Sequence, residues 1–563
     1  MSRLEWSLRG LFWVVVAVFV TWPASLSPAS SLIGHPDVDV WNHAWGYWFV
    51  PHQISSLEWP FSTALIGVPE GGDLYFIDLL GAVIGTPLAW CFGPAVAYNG
   101  VMVLRIAAAG LAGQSLAGSV LGKGPHCAVA GLGLATLPFL LTEMSNGISE
   151  VVAIHWIVWC LWAGWLVLEE PTRKRWVRLA VLLGVTTIAN FYYGLVSAMV
   201  LIVMGALRVF RAWRAGWRPS RLDALEPTRA LFLAAVVALP FWGIFQWTLR
   251  SENALIVRPK QFGVGWVLSH NAVDPRTYFM PGDFQSVDLA AYGEAFVHTG
   301  YLRWTVIVLA IIGLIRNPKL RDWGIAAGVS LVLGLGPILY LGDWVKIGGH
   351  AVSLPFYWAQ LLLPDVAITH PLRLSIGGQI IAVLLAAGGL VSLGRGWLAP
   401  LAGILIAVES LWVSPGPWPV PTADAQVPAA YGEIAGDGPV LDLPGSVGVT
   451  MATSRYFWYQ TAHGRGIPYS PNVRLDSCRD MEVQSAFTDP YLREGKHQVV
   501  ENPAKGPDLY QKALARRYSA IVLHTDLEER ADLKSAYTPV LTSVFGPPTV
   551  DGPLKVWTFE VAP

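Results

Sequence analysis

Charged residues are scarce in this chain: they make up 14% of its 563 residues, whereas 53% are hydrophobic. A soluble domain carries about 25% charged residues. The composition therefore excludes an ordinary soluble protein and predicts one that crosses a membrane several times. The net charge of −1 provides no basic surface for nucleic acid, which is not expected as a partner.

Cysteine is also rare, with four residues and no pair at the CxxC spacing. This pattern gives no sign of a disulfide framework or a cysteine zinc site. The sequence shows no nucleotide-binding signature and no Ser-His-Asp arrangement, so a nucleotide-linked substrate is not expected. It also shows no internal repeat, a feature that many transporters have.

Long apolar segments dominate what is present. A membrane-spanning helix needs about 20 apolar residues, and the hydropathy pattern predicts eleven such segments. They are 8–28, 97–120, 125–142, 148–168, 176–191, 193–210, 229–249, 303–316, 322–341, 373–393 and 397–414. The first could also be a cleaved signal peptide, but its apolar run is long for one, which favours a retained helix.

Basic residues are distributed unevenly over the connecting segments. If the N-terminus is cytoplasmic, seventeen fall on the inner side and five in the outer loops. Because basic residues favour the cytoplasmic side, the sequence predicts an integral protein of a bacterial plasma membrane with its N-terminus inside and its tail outside. The outer loops are then 29–96, 250–302 and 342–372.

The tail, 415–563, differs in composition from the membrane domain, 1–414. A proline-rich linker opens it, "GPVLDLPG" and "YSAIVLHT" are typical of buried strands, and "PLKVWTFEV" alternates as an edge strand does. We therefore expect a polytopic α-helical membrane protein with a small C-terminal extracytoplasmic α/β domain.

Two aspartates follow the first span at once in "HPDVDVWNH", within a loop that has no lysine or arginine. On an extended segment Asp37 and Asp39 point to the same side. There they can supply a general base or bind a divalent cation such as Mg²⁺ or Mn²⁺. His35 and His43 flank the pair and are pocket candidates. Alternatively, Asp39 caps a surface helix with the sequence "VWNHAWGYWFV".

The combination of many spans, an acidic residue soon after the first span and an outer C-terminal domain resembles the GT-C superfamily of integral-membrane glycosyltransferases. In architecture the resemblance covers the whole chain, and among motifs it rests on "HPDVDVWNH".

The resemblance implies transfer of a sugar from a polyprenyl-phosphate-linked donor to a glycan, lipid or protein acceptor, among membrane lipids on the outer face. It also implies that Asp37 or Asp39 deprotonates the acceptor or binds a metal ion. The chain lacks the adjacent Asp-Glu pair of some members, which leaves the acceptor class open.

A leaving phosphate requires cationic or dipolar stabilisation, and basic residues are few on the predicted outer side. Arg258 and Lys260 lie in the large loop, while His370 and Arg373 stand where a span begins. These four residues are the candidates for donor binding, because cationic groups suit phosphate oxygens and arginine offers a planar fork. Arg373 could instead extend towards lipid headgroups.

Three more ionisable residues lie in or beside predicted spans. Glu143 and Glu150 border the short outer turn "TEMSNGISE" and are candidates for the same pocket as Asp37, or else ordinary boundary residues. Arg105 lies within a span, where it should not face lipid, so we expect a loop carboxylate as its structural partner.

Two other functions stay open from the sequence: a transporter of a glycan or lipid, and a non-catalytic scaffold with a GT-C-like body. A transporter would place polar groups near the bilayer midplane, whereas here the acidic residues lie in outer loops, which favours an enzyme. One D-x-D pair does not exclude the scaffold. In the tail, the aromatic residues of "RYFWYQTAH" either stack on sugar rings or form the core of the small domain.

Overall fold

Helices dominate the chain up to Val413, and in the part of the chain that the structure describes the strands form three short pairs and one four-stranded sheet. The computed structural model describes residues 3–216, 221–255, 272–286, 295–362, 368–445, 454–470, 517–528 and 536–559.

The helices before residue 415 are, in chain order, α1 Arg3–Val20, α2 Val40–Ser55, α3 Leu79–Phe92, α4 Pro94–Leu121, α5 Pro125–Ala135, α6 Pro138–Ser145, α7 His155–Glu169, α8 Arg173–Ala189, α9 Phe191–Arg214, α10 Arg221–Arg250, α11 Trp304–Arg316, α12 Arg321–Gly334, α13 Pro355–Leu362, α14 Ile376–Leu393 and α15 Leu398–Val408. Two 3₁₀ turns become important for the site, Ser149–Val152 before α7 and Pro371–Ser375 before α14.

Six helical segments are long and apolar enough to cross a membrane within the described ranges. They are Pro94–Leu121, Pro125–Ser145, Ser149–Glu169, Phe191–Arg214, Leu225–Arg250 and Pro371–Leu393, with shorter apolar helices at Ser7–Val20, Leu79–Phe92, Trp304–Arg316 and Leu398–Val413. These helices support an integral membrane protein. Each of the eleven predicted spans overlaps a helix, but the number of spans and their orientation stay predictions.

The first helix illustrates how an apolar sequence divides its surface between the bundle and its surroundings. Phe12, Val15 and Phe19 are 50% to 61% exposed, whereas Trp13 and Ala17 are buried. Residues three and four apart share a helix face. The exposed apolar face is what a helix at the edge of a bundle presents to lipid.

About half of the segment predicted as the first outer loop, 29–96, is helical. Eleven of the sixteen residues of α2 are buried, so α2 is not the surface helix that the capping alternative assumed. The apolar helix α3 was not recognised from the sequence. It turns directly into α4 at Gly93, whose φ of 89° is a conformation that glycine adopts without strain.

The strands are β1 Ser31–Ile33, β2 Ser62–Thr63, β3 Gly72–Asp73, β4 Lys346–Ile347, β5 His350–Ala351, β6 Thr422–Asp424, β7 Val440–Leu443, β8 Ala520–His524, β9 Thr549–Asp551 and β10 Leu554–Thr558. The tail also contains helices α16 Ala430–Glu433, α17 Arg455–His463, α18 Thr525–Glu528 and α19 Tyr537–Phe545. Its sheet has the order β7-β8-β10-β9, with β7 parallel to β8 and the other pairs antiparallel.

In the tail, the structure corrects the expectation for strand β10 and supports the one for the aromatic residues of α17. Strand β10, expected at an edge, pairs with both β8 and β9; alternation reports one buried face and does not report whether a further strand follows. The aromatic residues of α17 belong to the interior, because Tyr456, Phe457 and Trp458 are at most 3% exposed.

The tail folds onto the first loop. Strand β1 pairs with β6 in antiparallel register, and Trp45 of α2 donates a hydrogen bond of 2.8 Å to Gln460 of α17. The two regions also share one hydrophobic core. The division of the chain at residue 415 stays a prediction, and the tail and the first loop pack as neighbours.

Candidate functional site

Asp39 stands at the first turn of α2, yet it does not cap the helix. Its side chain accepts no hydrogen bond from the helix, and its Oδ1 atom is buried without a hydrogen-bond partner among the described residues. Burial raises the pKa of Asp39 above its usual value, and the charges of His43 and Arg373 offset only part of that rise. A carboxylate with a buried, unpaired oxygen and a raised pKa is a candidate proton acceptor.

Both aspartates of the D-x-D pair lie in one turn. Residues 36–39 form a turn, so the strand alternation that would point both carboxylates to one side does not apply. The Asp37 side chain is half-buried, and its backbone N–H donates to Nδ1 of half-buried His35 over 3.2 Å.

Close backbone packing holds the Asp39 segment against the turn between α6 and α7. A Cβ atom on Gly34 would lie 2.9 Å from Gly147 Cα, and one on Gly147 would lie 2.5 Å from Val40 Cα. The Tyr98 hydroxyl lies within hydrogen-bond distance of the carbonyl oxygens of Ile33 (2.8 Å) and Gly147 (3.0 Å). Because both residues are glycine, the Asp39 segment can pack against the turn between α6 and α7, which Glu143 and Glu150 flank.

Two buried glutamates flank that turn, Glu143 in α6 and Glu150 in the 3₁₀ turn before α7, and both are 1% exposed. Glu150 Oε2 lies 3.3 Å from His43 Nδ1, one turn into α2, and the same ring nitrogen is 3.2 Å from Ser149 Oγ. Glu143 Oε1 lies 3.1 Å from His298 Nδ1. Both glutamates are thus more than boundary residues, because each faces an ionisable partner inside the protein.

His298 reaches this position through a backbone clamp. The Asn146 side chain donates to the Val297 carbonyl over 2.9 Å and accepts from the Val297 N–H over 3.1 Å. No motif in the sequence marks His298 as a site residue. Its only signal was its position shortly before a predicted span, within a large loop that carries no motif.

Arg373 completes the cluster from the 3₁₀ turn that precedes α14. Its Nη2 atom lies 3.5 Å from Glu143 Oε2, and its guanidinium carbon lies 5.9 Å from the centre of the Tyr192 ring. The side chain is 12% exposed, so it is not extended into lipid. Its Nε atom is buried and makes no hydrogen bond within the described residues.

His370 lies at the edge of this cluster. Its Nδ1 atom is 2.8 Å from Thr369 Oγ1, and its ring centre is 6.0 Å from that of His298. Tyr192 holds the same segment, because its hydroxyl accepts from the Thr369 N–H over 2.9 Å.

The structure thus brings together Asp39, His43, Glu143, Glu150 and Arg373, with His370 beside them and His298 added. We call Asp39, His43, Glu143, Glu150, His298 and Arg373 the acidic cluster. Asp37 and His35 lie on the preceding turn, and Arg258 and Lys260 lie outside the described residues. The site roles of all these residues stay predictions.

Arg105 has the loop carboxylate that the sequence predicted as its partner. Asp78 receives hydrogen bonds from Nη2 (2.6 Å) and Nη1 (2.8 Å) of Arg105. The hydroxyls of Tyr47, at 2.7 Å, and Ser149 also donate to Asp78. This pair adjoins the acidic cluster through Ser149, but its own atoms are fully engaged.

The described residues do not fit a divalent cation. In the parts of the chain that the structure describes, no three His, Cys, Asp or Glu residues are arranged to hold a metal ion. The acids around Asp39 also have a guanidinium as a neighbour, which competes with a cation for them. The metal role of Asp37 and Asp39 stays a prediction.

Comparison with known proteins gives a result for the fold only. No protein-family model and no curated protein matches the sequence. Among solved structures, all of this chain aligns with 40% of the arabinofuranosyltransferase AftD from Mycobacteria, with a TM-score of 0.54 and 14% identity. All of it also aligns with 99% of ArnT from Cupriavidus metallidurans, with a TM-score of 0.50 and 12% identity.

The chain therefore spans less than half the length of AftD but nearly the full length of ArnT. The resemblance to GT-C glycosyltransferases that the sequence indicated is confirmed at the level of the fold. Sequence identities of 12% and 14% carry no information on activity, substrate or partners.

Proposed function

We propose that this protein transfers a sugar from a polyprenyl-phosphate-linked donor to an acceptor hydroxyl on the extracytoplasmic face of the membrane. One observation carries the proposal: Asp39, whose carboxylate has a buried oxygen without a partner, and Arg373, whose guanidinium has a buried N–H without a partner, belong to one cluster within the described residues. They are the two groups that such a transfer requires.

The reaction forms one bond and breaks another at the anomeric carbon of the donor. The acceptor oxygen attacks that carbon and loses its proton to Asp39, while the bond between the carbon and the phosphate oxygen breaks. The polyprenyl phosphate leaves with the bonding electrons, and Arg373 stabilises its charge. Asp39 has its proton-accepting oxygen available because no described residue donates to Oδ1.

Arg373 is poorly matched by its present partner. A charge-assisted hydrogen bond is typically about 2.7–2.9 Å long, whereas Arg373 Nη2 lies 3.5 Å from Glu143. A phosphate would offer shorter contacts and would also engage Nε. Glu143, which His298 contacts from the other side, can keep that partner when the donor binds.

The side of the membrane follows from the charge distribution along the sequence. The segments that form the cluster were all predicted to lie at outer ends of spans, and they meet at one end of the bundle. This convergence supports a cytoplasmic N-terminus and an extracytoplasmic tail. A reporter fused after Pro563 that is active only in the cytoplasm should stay silent.

The acidic cluster also bears on the alternative functions. A scaffold requires no buried carboxylate without a partner, because such a group costs stability. A transporter usually binds its substrate near the bilayer midplane, whereas the cluster is formed by turns and helix ends. Both features support the enzyme.

The test is a turnover assay of the purified protein with a panel of polyprenyl-phosphate-linked sugars and soluble glycan acceptors. Asp39→Asn keeps the shape and removes the charge, so turnover should fall about a hundredfold or more, a typical contribution of a general base. Glu58→Gln, at an exposed carboxylate of the same loop, is the matched control and should keep parental turnover.

Asp37→Asn separates the two aspartates, and we expect it to retain most of the activity. If Asp39→Asn turns over the donor as the parent does while Asp37→Asn is inactive, the base is misassigned. If no donor in the panel reacts with the parent chain, the enzyme proposal is rejected in favour of a scaffold. Melting temperatures of all variants show whether a loss reflects chemistry or folding.

A further inference from the structure

Unpaired acceptor oxygens lie in the acidic cluster and beside it on α2. Asn42 and His43 follow Asp39 by three and four residues, so all three share one face of α2. The Oδ1 atom of Asn42 and the Oε2 atom of Glu150 are both buried and accept no hydrogen bond from any described residue. For Glu150 this holds although His43 is 3.3 Å away.

An unsatisfied buried acceptor is costly. Each one destabilises the fold by about 1–3 kcal/mol, and more when it is charged. Buried polar groups are therefore almost always paired, and exceptions are common at sites that await a ligand. The missing partners here are all donors, because Asn42 Oδ1, Asp39 Oδ1 and Glu150 Oε2 are all acceptors.

Whether the unpaired atoms are donors or acceptors indicates which groups the ligand must supply. On the Arg373 side the unpaired atom is a donor, Nε, which calls for an anionic acceptor such as phosphate. On the α2 side the unpaired atoms are oxygens. A phosphate offers acceptor oxygens and an alkyl chain offers no polar atom, so either would leave these oxygens unpaired. Hydroxyl groups satisfy them, since each donates one hydrogen bond.

We propose that Asn42 and Glu150 form a subsite that binds hydroxyl groups of the sugar carried by the lipid donor. This inference rests on the proposed function and adds a residue, Asn42, that positions the sugar rather than taking part in the chemistry. The donor is the source of the hydroxyls because Glu150 and Glu143 flank the same short turn, and Glu143 contacts Arg373. The sugar is bonded to the phosphate that Arg373 holds, so its hydroxyls lie within reach of Glu150.

The test compares two ligands on the full-length protein in lipid nanodiscs: undecaprenyl phosphate, and undecaprenyl phosphate carrying arabinofuranose or glucose. ArnT has been solved with undecaprenyl phosphate bound, which makes this lipid a practical probe. The ratio of the two affinities isolates the contribution of the sugar, because the lipid and phosphate contacts cancel.

In the parent, at least one sugar-bearing lipid should bind more tightly than the bare phosphate. Asn42→Ala should reduce that preference about 3- to 10-fold and Glu150→Gln about 10- to 100-fold, the usual range for neutral and charged hydrogen bonds. In Asn42→Ala, affinity for undecaprenyl phosphate itself should stay within about twofold. Glu170→Gln, at a carboxylate far from the cluster, is the control and should change neither affinity.

Several results would overturn the subsite. If the variants keep the parental preference for the sugar-bearing lipid, Asn42 and Glu150 do not contact the sugar. The same holds if they lose affinity for both lipids by the same factor. A parent that binds all the lipids equally refutes the subsite and leaves the phosphate role of Arg373 intact. A parent that binds none of them refutes the proposed function itself. If Glu150→Gln lowers the melting temperature, half-buried Asn42 still decides the question.

Discussion

Two buried contacts between a carboxylate and a guanidinium lie side by side in this protein, Asp78–Arg105 and Glu143–Arg373. In the first, the closest N–O separations are 2.6 Å and 2.8 Å, and the arginine also donates to the Ser149 carbonyl over 2.6 Å. In the second, the single contact is 3.5 Å long, and Arg373 Nε has no partner in the described chain.

The Asp78–Arg105 contact is also more closely packed than the Glu143–Arg373 contact. A Cβ atom on Gly81 would lie 2.2 Å from Arg105 Nη2 and 2.5 Å from Asp78 Oδ1, so nothing larger than a hydrogen atom fits beside that pair. The second contact adjoins unpaired atoms of Asp39 and Glu150. A saturated pair in a closed space holds the fold together, whereas an unsaturated one can still bind a ligand.

The largest effect should come from removing one member of the saturated pair. Asp78→Ala leaves the Arg105 charge buried and uncompensated, which typically costs about 3–5 kcal/mol. We expect a large fall in melting temperature or loss of the folded protein from the membrane. Asp78→Leu combined with Arg105→Met removes both charges and should recover much of that stability. Parental stability of the single variant would mean that the pair is not structural.

A smaller effect, on binding instead of folding, is expected at the unsaturated contact. Arg373→Gln should weaken undecaprenyl phosphate binding about ten- to a hundredfold, because one charge-assisted contact contributes about 1.5–3 kcal/mol. Arg373→Lys keeps the charge without the planar fork and should lose less. The measurement is lipid affinity together with melting temperature. Unchanged affinity in both variants places the phosphate elsewhere.

The protonation of Asp39 can be tested through the pH dependence of turnover. Burial raises the pKa of Asp39, the charges of His43, Arg373 and His298 lower it, and the charge of Glu143 raises it. A general base works only above its pKa, so turnover should decline as pH falls through that value. His43→Gln removes one lowering charge, and the acid side of the pH–rate profile should move to higher pH.

His52→Gln tests a histidine near the other end of α2, where the ring stacks on Trp48, and should leave the profile in place. A His43→Gln profile identical to that of the parent would show that Asp39 is not the titrating group.

The smallest effect is expected at an ion pair outside both regions. Arg175 and Glu170 are 2.7 Å apart, but their side chains are 28% and 66% exposed. Such pairs contribute about 0–1 kcal/mol. Glu170→Ala should therefore shift the melting temperature little and leave lipid binding unchanged. A loss comparable to that of Asp78→Ala would show that burial is not what separates the two kinds of pair.

Two arginines show where sequence reasoning reached its limit. Arg303 and Arg373 each stand where a predicted span begins, and nothing in the sequence tells them apart. Arg303 is fully buried and donates to the Gly133 carbonyl and to Ser410 Oγ, each over 3.0 Å, whereas Arg373 meets Glu143. The partner of a buried charge is set by the contacts of distant segments, which hydropathy does not encode.

The fold class and the segment that holds the candidate site could be predicted from the sequence. Apolar length, the asymmetry of basic residues and the cost of a charge in lipid are local properties. They were enough to predict a GT-C-like membrane fold and a carboxylate partner for Arg105, and to single out the Asp39 segment.

Which groups meet depends on contacts that only the folded chain makes. The close approach at Gly34 and Gly147 brings the Asp39 segment to the turn between α6 and α7, and the clamp at Asn146 adds His298. Both depend on contacts between segments far apart in the chain. Such contacts are fixed by packing and hydrogen bonding in three dimensions, and they leave no periodic trace in the sequence.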